Sequence, residues 1–74
     1  MRCEIKFQWD ADEAVWIATS DDVPGLVLES GSFDALLERV KQAVPELIAL
    51  NGTKAPDCRL SYHTVREDQV AVYG

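Results

Sequence analysis

Two adjacent carboxylates in the segment Thr19–Ser30, TSDDVPGLVLES, are the residues whose types could most readily do chemistry. Asp21 and Asp22 stand before Val-Pro-Gly, and paired carboxylates can ligate Mg²⁺ or act as a general acid and base. Adjacent side chains on an extended chain point apart, however, so both could serve one ion only across a sharp bend. Aspartate also hydrogen-bonds its own backbone in turns. We therefore interpret the pair as the polar corner of a turn.

The single histidine, His63, lies in the middle of a predicted strand, between Tyr62 and Thr64. A histidine on which no cysteine, aspartate or second histidine converges is weak evidence for catalysis. The sequence also has no P-loop, nucleophile elbow, glycine-rich phosphate loop or metal-ligand spacing. We therefore predict a protein that is not an enzyme and has no catalytic residue, metal site or cofactor.

The tryptophans and cysteines have structural explanations. Trp9 and Trp16 could stack on a ligand, but a domain this small needs large aromatic side chains to fill its core, and we expect both there. Cys3 and Cys58 are too few for a disulfide framework and lack the spacing of a zinc site. In a reducing cytoplasm we expect them to be small, buried apolar residues.

Composition restricts the partners and the compartment. The 74 residues, of which 47% are hydrophobic, suit a single domain spanning residues 1–74. Thirteen acidic against seven basic side chains give a net charge of −6, which would repel nucleic acid and attract a basic protein. No stretch approaches the ~18 consecutive apolar residues of a membrane span, and the start is charged, unlike a signal peptide. We predict a cytoplasmic protein without direct nucleic-acid or membrane contact.

Three strands are predicted before the helix. Cys3–Trp9 alternates apolar and polar residues, as a half-buried strand does. Ala14–Ala18 is apolar on both faces, which is typical of an interior strand. Pro24-Gly25 fits the central positions of a type II turn, after which Leu26–Leu28 should form a short third strand.

One amphipathic helix is the clearest element of the sequence. Apolar residues recur at steps of three and four from Phe33 to Ile48, and Ser32 is placed to cap the N-terminus. Pro45 should bend the helix without ending it, because it lies about 125° from the centre of the apolar stripe. Asn51-Gly52 should end the helix in the left-handed conformation.

The order of elements predicts the fold. After a loop at residues 53–57, Cys58–Val65 is a predicted fourth strand, and Val70–Tyr73 could be a fifth strand or a tail that orders against a partner. The order β-β-β-α-β indicates an α+β two-layer sandwich, with a mostly antiparallel sheet and the long helix on one face. The returning chain places the fourth strand beside the first and parallel to it. Cys3 and Cys58 should then lie close together.

The second face of this sheet needs a cover. The second strand offers Val15 and Ile17 on one face and Trp16 and Ala18 on the other, whereas a single helix covers one side. A like subunit is the simplest cover for the remaining apolar surface. We therefore predict a homo-oligomer, a dimer or a tetramer.

Two segments carry a family resemblance. Residues Trp9–Leu26, with their Asp-Val-Pro-Gly-Leu corner, and Val44–Gly52, with Val-Pro-Glu-Leu, resemble the small HicB-like proteins. The resemblance extends over nearly the whole chain. It implies a β-β-β-α-β fold similar to a truncated ribonuclease H or a double-stranded-RNA-binding domain, without the activity of either.

In HicB antitoxins, a domain of this kind binds and blocks HicA, a small basic ribonuclease toxin. The resemblance therefore implies a non-enzymatic protein-interaction module with an antitoxin-type role, and it implies no catalytic residue. Because the sequence ends at Gly74, we do not expect the DNA-binding module of a full HicB antitoxin. The alternatives are a small metal- or ligand-binding protein that uses Asp21 and Asp22, or a domain of unassigned function.

Overall fold

A computed structural model describes residues 1–52 and 57–74. The elements in chain order are β1 Arg2–Asp10, β2 Val15–Thr19, β3 Val27–Ser30, α1 Phe33–Leu50 and β4 Arg59–Val65. The sheet order is β3-β2-β1-β4, with antiparallel pairing except between β1 and β4, which are parallel. The predicted α+β two-layer fold and the position of the fourth strand are therefore confirmed. The loop predicted at residues 53–57 lies, apart from Asp57, outside the described residues.

The core lies between α1 and one face of the sheet. In β1, every second side chain points toward the helix, and in α1 the fully buried positions recur at steps of four. The turn between β2 and β3 adds two more apolar side chains. The buried residues are Cys3, Ile5, Phe7, Ala18, Val23, Leu26, Leu36, Val40, Val44 and Ile48.

Both ends of α1 are capped. The Ala35 N–H donates to Ser32 Oγ at 3.2 Å, so the predicted N-cap is confirmed. At the other end Gly52 has a φ of +77°, whereas Asn51 has a φ of −82°. The left-handed prediction is therefore correct for Gly52 and wrong for Asn51, because one left-handed residue is enough to end the helix. The helix continues through Pro45, which is exposed.

Two turns join the first three strands. The Leu26 N–H donates to the Val23 carbonyl at 3.2 Å, and Gly25 has a φ of +89°, as the third position of a type II turn requires. In the β1–β2 hairpin, Ala14 has a φ of +54°, an uncommon value for a residue with a side chain. β2 accordingly begins at Val15, one residue later than predicted.

The face of the sheet away from α1, called the open face below, is covered by no element of the described chain. Strand alternation and pairing register assign its residues. They are Arg2, Glu4, Lys6, Gln8, Asp10, Val15, Ile17, Thr19, Val27, Glu29, Arg59, Ser61, His63 and Val65. This face combines charged and apolar side chains.

Residues 66–74 follow β4 and contain no strand. Val70, Val72 and Tyr73 are 79%, 91% and 92% exposed. Of the two alternatives for Val70–Tyr73, a fifth strand is therefore excluded. Within the described residues, no helix combines the length and the hydropathy needed to cross a bilayer.

Candidate functional site

A shallow pocket of about 470 Å³ lies on the open face, where β1, β4 and the chain after β2 meet. Strand geometry explains its lining: Lys6 of β1 stands opposite His63 of β4, and Asp21 and Asp22 follow the end of β2, the other neighbour of β1. The structure thus brings the three residues with candidate chemistry to one place. The polar and charged lining consists of Glu4, Lys6, Thr19, Ser20, Asp21, Asp22 and His63.

Ser20 and Asp22 complete the hydrogen bonding of β1. The pairing of β2 with β1 ends at Thr19, opposite Lys6, so strand pairing on that side does not reach Glu4. The Glu4 N–H donates to Asp22 Oδ2 at 2.8 Å, and the Ser20 hydroxyl donates to the Glu4 carbonyl at 2.6 Å. The Asp22 N–H in turn donates to Ser20 Oγ at 3.1 Å. Two side chains therefore replace the missing strand partner, and Asp22 has a structural role.

The Glu4 carboxylate has different neighbours. Its Oε1 lies 3.5 Å from Arg2 Nη2 and 3.7 Å from His63 Nε2. More than half of each of these three side chains is exposed, so water screens the interactions and they contribute little to stability. The acidic groups of the pocket thus have different partners: Asp22 accepts from the backbone of β1, and Glu4 lies beside Arg2 and His63. In the described part of the chain, no three His, Cys, Asp or Glu side chains are arranged to hold a metal ion.

A second acidic group closes the β1–β2 hairpin. Asp10 Oδ1 accepts hydrogen bonds from the Asp12 N–H at 3.0 Å and the Glu13 N–H at 3.3 Å. Aspartate at the start of a turn commonly binds the backbone in this way. Because Asp10 is at the far end of β1 from Glu4, the two acidic groups are separate.

An aromatic cluster packs where α1 begins. The Trp16 ring centroid lies 5.0 Å from that of Phe33 and 5.4 Å from that of Trp9. Both tryptophans are half-buried: Trp16 packs against the core, as expected, whereas Trp9 lies outside it, so the expectation is wrong for Trp9. The Arg66 guanidinium carbon lies 4.1 Å from the Trp9 ring centroid, a cation–π arrangement. Sequence reasoning missed Arg66, because strand order alone does not say that β4 stops pairing at Val65, opposite Gln8, which leaves the next residue beside Trp9.

The two cysteines are neighbours, as predicted. The Cys58 thiol donates to Cys3 Sγ at a sulfur–sulfur distance of 3.2 Å, and both thiols are free. Cys3 is fully buried, but Cys58 is half-buried, so the expectation of two buried residues is wrong for Cys58. Burial, followed by the interaction with the neighbouring Cys58 thiol, raises the pKa of the Cys3 thiol to about 11.

The chain belongs to the family DUF1902, described as a domain of unknown function, which matches residues 2–73. It is similar to a hypothetical protein from the extremely thermophilic bacterium Thermus thermophilus, whose crystal structure superimposes with a TM-score of 0.81. The two sequences are 32% identical, and the match covers 95% of this chain and 100% of the other. No curated protein sequence matches. These findings assign a family and a fold and name no activity.

Proposed function

We propose that this member of the DUF1902 family is a non-enzymatic protein-interaction module that assembles with copies of itself through the open face. The observation that carries the proposal is the apolar surface formed on that face by Val15, Ile17, Val27 and Val65. Val27 is 70% exposed and Val65 is 46% exposed. Val15 and Ile17 are neighbours on β2, Val27 lies diagonally across from Ile17, and Val65 lies across Gln8 from Ile17. Exposed apolar surface commonly marks an interaction site, and in a two-fold dimer the same patch serves both subunits.

The charges of the open face also favour pairing with a like copy. Lys6 and His63 stand opposite each other on neighbouring strands, and Glu4 and Glu29 lie on the same face. Because both signs are present, a second copy can place its acidic groups against basic ones despite the net charge of −6. The small size of the domain is a further argument, since small domains bury a limited fraction of their surface on folding.

Size-exclusion chromatography with light scattering at micromolar concentration tests self-association. We expect a dimer or tetramer for the wild type and a shift toward monomer for Ile17→Lys, which places a charge in the apolar patch. Gln42→Lys, an exposed change on α1, is the matched control and should leave the assembly intact. Circular dichroism establishes that Ile17→Lys is folded, and Val65→Lys provides a second, more exposed position. A monomeric wild type would contradict the proposal.

The finer part of the proposal is that a further partner is a small basic ribonuclease toxin, as the HicB-like resemblance implies, met in the cytoplasm. The net charge of −6 supports this choice, because it favours encounter with a basic protein. Acidic residues also gather at one end of the sheet. Since β1 and β4 are parallel, the segments that follow them begin at the same end, and they contain Asp12, Glu13, Glu67 and Asp68.

A pull-down from the native host tests the toxin partner. We expect recovery of a small basic protein whose cleavage of RNA is inhibited by the purified wild type. Asp12→Lys/Glu13→Lys should slow this association and increase its salt sensitivity, because steering depends on charge. Glu38→Lys/Glu46→Lys makes the same charge change on α1 and should have a smaller effect. Recovery of the protein alone would contradict a toxin partner and would leave the result for self-association unaffected.

A further inference from the structure

Two sulfur atoms meet where the parallel strands β1 and β4 begin. Cys58 is the residue just before β4 and lies outside its hydrogen-bonded ladder. Cys3 stands opposite Leu60, two residues after Cys58. The sulfur atoms are 3.2 Å apart. A disulfide requires about 2.05 Å, so they would have to approach by about 1.2 Å, which a modest adjustment of the Cys58 side chain and its backbone outside the strand can supply.

The two thiols differ in access. Cys3 is fully buried, whereas Cys58 is half-buried and lines an open depression of about 570 Å³. Arg2 and Arg59, which face each other in the register, line the same depression together with one carboxylate, Asp57. Arg2 is paired with Glu4, since its Nη2 lies 3.5 Å from Glu4 Oε1, so the basic groups beside Cys58 are Arg59 and a partly neutralised Arg2, next to Asp57. Arginine side chains beside a thiol favour the approach of a carboxylate-bearing reagent, so Cys58 is the thiol such a reagent can reach.

We propose that Cys58 and Cys3 form a reversible disulfide, driven by anionic low-molecular-weight disulfides of the glutathione class, which locks the start of β1 to the start of β4. In the first step, the Cys58 thiolate attacks one sulfur of the small disulfide RSSR. The S–S bond of RSSR breaks, a mixed disulfide forms on Cys58, and RS⁻ leaves and takes up a proton.

In the second step, Cys3 gives up its proton to solvent, and its sulfur attacks the Cys58 sulfur of the mixed disulfide. The bond between Cys58 and the small thiol breaks, and a second RS⁻ leaves and is protonated. Two cysteine thiols have then lost two protons and two electrons in total, and RSSR has been reduced to two RSH. Cytosolic disulfides of this transient kind usually serve redox sensing.

The protonation of Cys3 sets the order of events. In the reduced protein its pKa of about 11, raised by burial and by the neighbouring Cys58 thiol, leaves little thiolate near neutral pH. Cys3 is therefore the second sulfur to react, and ring closure is the slow step. Closure should accelerate as pH rises, because burial, the largest cause of the raised pKa, does not depend on the Cys58 thiol.

Oxidation of the folded protein in mixtures of reduced and oxidised glutathione, followed by intact-protein mass spectrometry and thiol titration, tests the proposal. The wild type should pass through a single glutathione adduct and end without an adduct, with the mass of two hydrogen atoms lost and no free thiol. Cys3→Ala should stop at the adduct, and Cys58→Ala should remain unmodified because Cys3 is buried. Excess reduced glutathione should reverse the wild-type reaction.

Several results would overturn the proposal. They are a native wild type that stays reduced, a wild type that forms only cross-linked dimers, and closure that requires denaturant. Adduct formation at Cys3 as fast as at Cys58 would also overturn it. These wild-type measurements decide the question even if a cysteine variant folds poorly.

Discussion

Replacing Asp22 by alanine removes the acceptor that lies 2.8 Å from the Glu4 N–H. A hydrogen bond to a charged group contributes about 1.5–3 kcal/mol, and since Asp22 is exposed, water should recover part of this. We expect Asp22→Ala to lower the free energy of unfolding by about 1–1.5 kcal/mol. Ser20→Ala removes a donor to the Glu4 carbonyl and an acceptor for the Asp22 N–H, and should cost about 1 kcal/mol.

Asp21→Ala is the matched control, because Asp21 carries the same charge, is exposed, and takes no part in these three hydrogen bonds. Its effect should stay within about 0.5 kcal/mol. Urea unfolding, followed by the fluorescence of Trp9 and Trp16, measures the free energy of unfolding of all three variants. The slope of this free energy against urea concentration should be the same in each. The double variant of Ser20 and Asp22 should lose less than the sum of the single losses, because the two side chains belong to one network.

Equal losses for Asp21→Ala and Asp22→Ala would refute this reasoning, since charge alone would then explain both. The same variants address the alternative of metal binding at this corner. We expect no thermal shift of the wild type with Mg²⁺ or Mn²⁺. A shift that disappears in Asp21→Asn/Asp22→Asn would show that the pair holds a cation.

Three further changes test the helix and the buried thiol. Ser32→Ala removes the helix N-cap and should cost about 1 kcal/mol in urea unfolding. Pro45→Ala restores a backbone donor within α1 and should raise the free energy of unfolding by about 1–3 kcal/mol. A lower free energy of unfolding would show that the proline stabilises the helix. The Cys3 pKa is raised from 9.0 to about 11, so the folded state favours the protonated thiol. Its stabilisation is therefore present below pH 9 and lost as pH rises from 9 to about 11. Reduced wild type should lose more stability across this window than Cys3→Ala does, and parallel curves would contradict the assignment.

The fold could be predicted because local patterns and chain order agree. Alternation in β1 and the three-and-four periodicity of α1 each assign one apolar face, and the two faces pack together. The parallel placement of β4 followed from the order of elements. The errors in the fold concern element ends. Hairpin closure places Ala14 in the left-handed region, so β2 begins at Val15; β3 is Val27–Ser30, not Leu26–Leu28; and Gly52 alone is left-handed at the end of α1.

The candidate site was less predictable, because it depends on where strands end relative to one another. The Glu4–Asp22 hydrogen bond joins residues 18 apart in sequence and exists because β2 stops pairing with β1 at Thr19. Periodicity predicts which face a residue occupies but does not predict such an endpoint. The proximity of Cys3 and Cys58 could be predicted from the sequence because it depends only on the order of the strands in the sheet.

Self-association and disulfide formation involve opposite faces of β1, so their effects can be measured separately. Cys3 points toward α1, whereas Glu4 and Lys6 point to the open face. A Cys3–Cys58 bond would fix β4 beside β1 and so hold Val65 in one row with Gln8 and Ile17, without covering that row. Oxidation should therefore leave the oligomeric state unchanged and raise the resistance to unfolding, by about 4 kcal/mol on the loop-entropy relation for a loop of this length. Light scattering and urea unfolding of both redox forms measure the two effects. If oxidation dissociates the oligomer, the assembly interface extends to the helix side of β4 and is not formed by the open face alone.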